Sequence, residues 1–312
     1  MRKETAPYQP AGSDYHTPVL YNEVLDGLNI DPDGIYVDAT FGGGGHSRGI
    51  LEKLSNKGKL IAFDQDADAQ RNLPEDERVI FVPQNFRHLQ RFLRLYKVEK
   101  IKGLLADLGV SSHQFNEATR GFSTRFEGPL DMRMDARQEG TAMNILQTYS
   151  EQQLHKLFEQ WGEVTNAKTL ARHIVQNRTT SSFKTTNALM AMLSPVVKGA
   201  PNKYFAQVFQ ALRIEVNDEM GALKDLLQQS VQVLQIGGRI AVITFHSIED
   251  RLVKNFFRWG SFEEAVDENP FETVEKKSGF KIITRKPIVP SAEEMKGNSR
   301  SRSAKLRIAE KE

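Results

Sequence analysis

The chain contains no cysteine among its 312 residues. It therefore has no disulfide bond, no thiolate zinc site and no cysteine nucleophile, a composition that fits a reducing cytoplasm. No run of about 18 or more apolar residues occurs, so we expect no membrane span. The segment Met1–Gly12 lacks the apolar core of a secretion signal. We predict a cytoplasmic protein without metal-binding residues, although a requirement for a metal stays open.

The net charge is also small, at +2, but the basic residues are unevenly distributed. Six lysines or arginines and one acid, Glu99, lie between Arg87 and Lys102. Four basic residues and no acid lie in Asn298–Arg307 (NSRSRSAKLR). Such stretches suit contacts to nucleic-acid phosphates, because each neutralised phosphate releases counterions. For the first stretch, the pattern slightly favours an ordinary solvated helix face.

Short apolar segments alternate with helical stretches from about residue 35 onward. Strand, loop, helix and strand at this spacing predict right-handed βαβ units in a mostly parallel sheet that is covered on both faces. The predicted strands are Ile35–Asp38, Leu60–Asp64, Val79–Val82, Ile101–Asp107, Arg239–Phe245 after a turn at Gly237-Gly238, an antiparallel edge pair Phe271–Val274 and Phe280–Thr284, and Ala304–Ile308 as a further candidate.

The strand pattern is interrupted between about Phe115 and Val216. This segment contains only helical patterns, so we predict an inserted helical domain of residues 115–216 within a sheet domain of residues 1–114 and 217–312. The predicted helices are Glu151–Gln160, Ala167–Gln176, Thr186–Leu193 and a longer one carrying Phe205, Phe209, Leu212 and Val216 on one face.

Three acids, Asp38, Asp64 and Asp107, end predicted strands. Ligands of open parallel sheets bind beyond the carboxyl ends of the strands. A glycine loop, Phe41–His46 (FGGGGH), follows the first strand, and a helix with Ile50, Leu51 and Leu54 on one face should come after it. Asp64 lies about twenty residues beyond this loop, where a carboxylate can accept hydrogen bonds from both ribose hydroxyls. Each acid alone could be a helix cap or a surface charge, but three at one edge favour an adenosine-bearing cofactor.

The glycine loop lacks the Gly-Lys-Ser/Thr of a phosphate-binding loop and does not fit a clean G-x-G-x-x-G. Both departures disfavour nucleotides that are held by their phosphates, including NAD and FAD. S-adenosylmethionine carries no phosphate, so the loop needs only to seat a methionine moiety and a ribose.

Eight motifs distributed over nearly the whole chain resemble the MraW family of small-subunit ribosomal RNA methyltransferases (methyltransferase H). The resemblance implies transfer of a methyl group from S-adenosylmethionine to N4 of a cytidine in 16S rRNA. It also implies a class I (Rossmann-like) α/β methyltransferase fold with a doubly wound sheet and an inserted helical domain that helps to recognise RNA. The motifs are Tyr15–Leu20 (YHTPVL), Asp38–Ser47 (DATFGGGGHS), Asp107–Gln114 (DLGVSSHQ), Arg120–Ser123 (RGFS), Gly128–Asp135 (GPLDMRMD), Phe209–Asn217 (FQALRIEVN), Phe245–Arg251 (FHSIEDR) and Ser299–Arg307 (SRSRSAKLR).

The resemblance implies a set of cofactor contacts, which are Gly44, Gly45, His46, Asp64, Phe86, Asp107 and Gln114. One departure affects the last of these, because His113 stands where the family often has proline. The candidates for catalysis are Asp107, Ser111, Ser112 and His246. The serines could equally cap a helix, and the histidine could be structural. The candidates for RNA contacts are Arg133, Arg213, Arg300, Arg302, Lys305 and Arg307, with salt bridges as the alternative for the first two.

Three other functions are compatible with parts of the pattern. A DNA or protein amino-methyltransferase would keep the chemistry and change the substrate. A nucleotide-dependent oxidoreductase would need a cleaner dinucleotide motif, and a non-catalytic RNA-binding protein would not need the acids at the strand ends. The favoured partner is 16S rRNA within the small ribosomal subunit, and the oligomeric state stays open, with a homodimer as one alternative.

Overall fold

The computed structural model describes residues 18–179, 184–263 and 278–312. The chain forms two compact units. The first unit comprises Met1–Gly109 and Ala222–Glu312, and the second comprises Val110–Gly221. The sequence pattern places the inserted segment at residues 115–216, a few residues inside these bounds. No helix in the described ranges is long and apolar enough to cross a membrane.

The first unit contains a seven-stranded sheet with the order β3-β2-β1-β4-β5-β7-β6. Strands β1 to β5 pair in parallel, and β7 pairs antiparallel with both β5 and β6. The parallel order 3-2-1-4-5 is that of a doubly wound sheet, which confirms the predicted Rossmann-like fold. The strands are β1 (Ile35–Asp38), β2 (Lys59–Phe63), β3 (Val79–Val82), β4 (Ile101–Asp107), β5 (Leu234–Thr244), β6 (Phe280–Ile282) and β7 (Lys305–Lys311).

Helices cover the sheet and build the second unit. In chain order they are α1 (Tyr21–Leu28), α2 (Gly45–Lys53), α3 (Leu89–Leu95), α4 (Ser112–Asn116), α5 (Ala142–Thr148), α6 (Glu151–Gln160), α7 (Ala167–Asn177), α8 (Thr186–Leu193), α9 (Pro201–Asn217), α10 (Glu219–Val233), α11 (Ser247–Trp259) and α12 (Ala292–Gly297).

Apolar clusters bury both faces of the sheet. Successive side chains of a strand point to opposite faces, so the residues of one strand belong to different clusters. In β4, Leu104 and Ala106 belong to one apolar cluster together with residues of α3, α10 and α11. Leu105, between them, belongs to a second cluster that includes Ile50 and Leu51 of α2 and residues of α1. A strand that is apolar on both faces is typical of a parallel sheet between two helical layers.

Two features of β5 differ from the prediction. The strand begins at Leu234 and includes Gly237-Gly238, where the sequence predicts a turn. The β4–β5 pairing shifts its register between Ile101 and Gly103, and Gly237 has φ of +76°, so the glycines accommodate an irregularity inside the strand.

The sheet edge contains a pairing that the sequence did not predict. Strand Phe280–Ile282 pairs with Lys305–Lys311, which is the candidate strand of the C-terminal motif. Its predicted partner, Phe271–Val274, lies outside the described residues. Local apolar patterns located Phe280–Ile282 and Lys305–Lys311 but could not show that they pair, because pairing is set by contacts between distant segments.

The second unit is helical in the described ranges, as the loss of the strand pattern predicts. Helices α6 and α8 have the predicted bounds, and α7 extends one residue further, to Asn177. Phe209 and Leu212 of α9 are buried in a separate apolar core. The side chains of Thr141 and Ser150 close capping boxes that begin α5 and α6.

Candidate functional site

The three predicted acids lie together at the carboxyl edge of the sheet. Asp38 is the last residue of β1, Asp64 follows β2 directly, and Asp107 is the last residue of β4. Strand β1 pairs with both neighbours in parallel, and Asp38 is opposite Ala62 on one side and Leu105 on the other. The chain reverses its winding between β1 and β4, which is where sheets of this class bind their ligands.

The glycine loop between β1 and α2 passes close to its neighbours. The backbone N–H of Phe41 donates to the carbonyl of Phe63 at 2.9 Å. Gly44 has φ of +71°, and a Cβ there would lie 2.8 Å from the Phe41 ring. A Cβ on Gly45 would lie 2.3 Å from the Pro18 side chain. Both positions therefore require glycine, and the loop presents backbone in place of side chains.

Asp64 anchors this loop. Its Oδ2 accepts from the Gly42 N–H at 2.7 Å, and its Oδ1 accepts from the Asp66 N–H at 2.8 Å. Burial raises the pKa of Asp64 to about 6, although both backbone bonds favour the charged form. Each carboxylate oxygen has two lone pairs, so these bonds leave room for further donors such as ribose hydroxyls.

Asp107 is less well satisfied than the other two acids. Its backbone N–H donates to Thr40 Oγ1 at 2.6 Å, which fixes the end of β4. Its Oδ1 is buried and has no hydrogen-bond partner among the described residues. Burial raises the pKa of Asp107 to about 8, and the negative charges of Asp38 and Glu249 contribute to this rise. A buried carboxylate oxygen without a donor marks a place for a ligand donor, and a pKa near neutrality suits a group that takes up a proton.

His46 stands next to Asp107 as a neutral side chain. It is 6% exposed, and burial lowers its pKa to about 4. Its Nε2 lies 3.0 Å from the carbonyl of Val19, which can only accept, so we assign the ring proton to Nε2. The Nδ1 atom, 3.8 Å from Asp107 Oδ2, is then the unprotonated nitrogen. The Tyr21 ring stacks on the imidazole and holds its orientation.

Phe86 begins the turn that follows β3 and is partly buried against the sheet core. This turn is linked to the segment after β2. Asn85 Nδ2 donates to Gln65 Oε1 at 2.8 Å, and the Asp64 N–H donates to the carbonyl of Val82. Phe86 is therefore held at the same edge of the sheet as Asp64.

His246, the last catalytic candidate of the first unit, begins α11. Its Nδ1 accepts from the Glu249 N–H at 3.4 Å, and its Nε2 lies 3.1 Å from Glu249 Oε1. Glu249 Oε2 in turn accepts from the Phe245 N–H at 2.8 Å. The Nδ1 contact gives His246 a capping role, whereas its buried Nε2 has no hydrogen-bond partner among the described residues. Its participation in catalysis stays a prediction. Glu249 is not among the predicted site residues, although the spacing His246-x-x-Glu249 is that of a capping box.

Ser111, Ser112 and Gln114 belong to the second unit. Ser111 Oγ accepts from the Gln114 N–H at 3.2 Å, and Gln114 Oε1 accepts from the Ser111 N–H at 3.0 Å. This reciprocal pair begins α4, so Ser111 caps a helix, which is one of its two sequence interpretations. Ser112 is the first residue of that helix, and Gln114 is buried. Their contacts with cofactor or base stay predictions.

Most of the arginines proposed for RNA contacts already have carboxylate partners. Arg133 forms a bidentate pair with Asp131, and Arg213 forms one with Glu219. In β7, the buried guanidinium of Arg307 pairs with Asp250 at 2.7 Å, and Lys305 Nζ contacts the same carboxylate at 3.3 Å. Arg300 is partly buried, whereas Arg302 is exposed. RNA binding by these residues stays a prediction.

The sequence matches a known protein family over nearly its whole length. The model of the MraW methylase family matches residues 13–312. The chain belongs to this family. The ribosomal RNA small subunit methyltransferase H of Parabacteroides distasonis is 52% identical over 301 residues, which are 96% of this chain and 98% of that protein. The protein of the same name from Cytophaga hutchinsonii is 52% identical over 301 residues, 96% of this chain and 100% of its own length.

Family membership makes S-adenosylmethionine the cofactor, and the residues at the carboxyl edge of the sheet fit it. A side chain at Gly44 or Gly45 would clash with its neighbours, so the loop presents only backbone there. Asp64 keeps acceptor capacity for hydroxyl groups, and Asp107 Oδ1 lacks a donor among the described residues. Within the described ranges, no cluster of three metal-ligating side chains occurs.

Proposed function

We propose that this member of the MraW methylase family transfers a methyl group to N4 of a cytidine in 16S rRNA, within the small ribosomal subunit and in the cytoplasm. The identity of about half of all residues with rRNA methyltransferases over nearly the full length supports the substrate class. The observation that carries the chemistry is the buried Oδ1 of Asp107, which lacks a donor among the described residues.

The cofactor would be held at the carboxyl edge of the sheet. Asp64 would accept hydrogen bonds from the ribose hydroxyls, and the loop at Gly44, Gly45 and His46 would lie against the methionine part. Phe86 offers an apolar surface, and Gln114 is the contact proposed for the second unit. When bound, S-adenosylmethionine supplies an electrophilic methyl group on a sulfonium, so positioning contributes most of the rate enhancement.

Asp107 would activate the acceptor. The exocyclic amine of cytosine is a poor nucleophile, because its lone pair is delocalised into the ring. An Asp107 carboxylate that accepts a hydrogen bond from this amine would let the nitrogen pyramidalise. The same carboxylate would take the proton that the nitrogen loses as its bond to the methyl carbon forms. The pKa of about 8 favours such a transfer, because a general base works best when its pKa lies near the working pH.

The target base must leave its stack to reach this partly buried carboxylate. We propose that Ser111 or Ser112 orients the extruded base and that His246 completes the pocket. The second unit, as an inserted helical domain, would contribute to RNA recognition with Arg133 and Arg213. These roles agree with the family resemblance.

The basic C-terminal motif would contact the RNA backbone through Arg300, Arg302, Lys305 and Arg307. We expect Arg300→Glu with Arg302→Glu to weaken RNA binding by roughly tenfold or more at low salt, because phosphate contacts supply sequence-independent affinity. Cofactor affinity should not change. The measurement is a filter-binding or fluorescence titration with 16S rRNA across a salt series, in which the loss shrinks as salt rises.

A matched control for this prediction lies on α3. Arg91 and Arg94 are both exposed, and Arg91→Glu with Arg94→Glu makes the same change in charge. This control should lose clearly less RNA affinity than the Arg300 and Arg302 variant. Equal losses would mean that only net charge matters, and unchanged binding of the Arg300 and Arg302 variant at low salt would remove the C-terminal motif from the interface.

A substrate comparison tests the proposed function. Purified protein with methyl-labelled S-adenosylmethionine should label 16S rRNA or small-subunit particles, and not DNA of the same sequence or protein. Label in DNA or protein alone would favour the amino-methyltransferase alternative. Absence of label, together with a fluorescence change on titration of reduced nicotinamide nucleotide, would favour the oxidoreductase.

A further inference from the structure

Two polar side chains hold the carbonyl groups of the glycine loop. Arg48 lies in the first turn of α2, and its Nη1 donates to the carbonyl of Gly43 at 3.0 Å. Asn72 ends the 3-10 helix that follows β2, and its Nδ2 donates to the carbonyl of Gly42 at 2.9 Å. Arg48 Nη2 also donates to the carbonyl of Asn72 at 3.2 Å, which joins the two supports. We call Arg48 and Asn72 the loop brace.

The loop brace adds to the backbone bonds of the loop, in which the Gly44 N–H donates to the carbonyl of Phe41 at 2.7 Å, by holding the carbonyls of Gly42 and Gly43. Glycine loses more backbone freedom on ordering than any other residue, and this loop has four in succession. Gly44 begins α2 without a side-chain cap. In a trans peptide the C=O and the following N–H point in opposite directions. Holding the carbonyl of Gly42 on the Asn72 side therefore directs the N–H of Gly43 to the opposite side.

Asp64 provides the third fixed point, since its Oδ2 accepts from the Gly42 N–H at 2.7 Å. Asp64 is also the proposed ribose contact. The loop brace and the cofactor site therefore share one short piece of backbone, held at the N–H of Gly42 and at the carbonyls of Gly42 and Gly43. A shift of these carbonyls would move the segment on which the cofactor is proposed to lie.

We propose that Arg48 and Asn72 are positioning residues that keep the glycine loop in its cofactor-binding conformation before S-adenosylmethionine arrives. They act through the backbone of the loop and touch no reacting atom. This inference rests on the proposed function only for the placement of the cofactor against the glycine loop. The apparent dissociation constant of a ligand is inversely proportional to the fraction of the protein that is competent to bind it.

Calorimetric titration of S-adenosylmethionine into the full-length protein tests this role. Arg48→Met removes both donors of the arginine, and we expect the dissociation constant to rise about tenfold, as when the competent loop falls to roughly a tenth of the molecules. Asn72→Ala removes one bond and should raise it by a smaller factor. Arg48→Lys keeps a single donor, so it should recover part of the affinity that Arg48→Met loses.

Arg71→Met is the matched control. Arg71 precedes Asn72, is 80% exposed and pairs with Asp68 at 3.4 Å, so its loss removes the same charge next to the loop. Its cofactor affinity should stay within about twofold of the wild type, because exposed ion pairs contribute little. An equal loss in Arg71→Met and Arg48→Met would assign the effect to charge alone and overturn the proposal.

Thermal unfolding without cofactor separates positioning from simple stabilisation. The proposal expects Arg48→Met to remain folded at the titration temperature and to bind weakly there. A variant with a lower melting temperature and wild-type affinity would make the arginine merely structural and overturn the proposal. If Arg48→Met does not fold, Asn72→Ala decides, and unchanged affinity in that variant overturns it. Methylation of rRNA by the wild type is measured separately. If rRNA is not methylated, the cofactor affinities of the variants can still be interpreted.

Discussion

Asp107→Asn should lower the single-turnover rate of methylation by roughly 10²–10⁴-fold at saturating S-adenosylmethionine, the range of a positioned acid–base group. The substitution keeps the shape of the side chain and removes its ability to ionise and to take up a proton. An amide can still accept a hydrogen bond from the target amine, but it cannot take up the proton that the amine must lose. If Asp107 only anchored the cofactor, the defect would instead appear in cofactor affinity and largely disappear at saturation.

The pH dependence of the free energy of unfolding provides a check that this variant is folded. Burial raises the pKa of Asp107 from 3.8 to about 8, so the folded protein holds a proton that the unfolded chain releases between these values. The contribution of this group to stability is full below about pH 4 and is lost as the pH rises through about 8. The amide of the Asp107→Asn variant cannot ionise, so its free energy of unfolding at pH 8 should match or exceed that of the wild type.

A near-normal rate in a folded Asp107→Asn protein would contradict this role. It would leave Ser111, Ser112 and His246 as the remaining candidates for contact with the base. Of these, Ser111 and His246 cap the starts of α4 and α11. An alanine variant of either residue would therefore lose a helix cap as well as any contact with the base.

Asp64→Ala should weaken binding of S-adenosylmethionine at least tenfold. A charge-assisted hydrogen bond to a ribose hydroxyl contributes on the order of 1.5–3 kcal/mol, and one tenfold step in affinity is about 1.4 kcal/mol. The variant also loses the acceptor for the Gly42 N–H, which adds to the effect through the loop. Calorimetry with the full-length protein measures the change.

Asp68→Ala provides the control for this prediction. Asp68 lies in the 3-10 helix after β2 and is 33% exposed, so its loss removes one carboxylate near the loop without touching the Gly42 N–H. Its cofactor affinity should remain near that of the wild type. A folded Asp64→Ala protein with unchanged affinity would remove the ribose assignment.

The strand-end acids could be predicted because their signal is local. Asp38, Asp64 and Asp107 each follow an apolar run directly, and the parallel sheet brings such positions to one edge. The requirement for glycine at Gly44 is also local, since a Cβ there would lie 2.8 Å from the ring of Phe41, three residues earlier. The described residues agree with both expectations.

Contacts between distant segments could not be predicted in the same way. Arg48 reaches the carbonyl of Asn72 across 24 positions of the chain, and Arg307 pairs with Asp250 across 57. A basic residue in a sequence has the same appearance whether its partner is a phosphate or a carboxylate of the same chain. This is why the C-terminal motif suggested four RNA contacts, whereas the structure already pairs Lys305 and Arg307 with one aspartate.

Mass mapping of nucleosides in 16S rRNA tests most directly whether the protein methylates N4 of one cytidine in that RNA. Small subunits from cells with and without the protein are digested, and the fragments are compared for added methyl groups. We expect one cytidine to lose its N4-methyl group without the protein, to regain it with the wild type, and not with Asp107→Asn. An unchanged pattern of N4-methylcytidine in 16S rRNA, or a loss confined to another atom or another RNA, would contradict the proposed function.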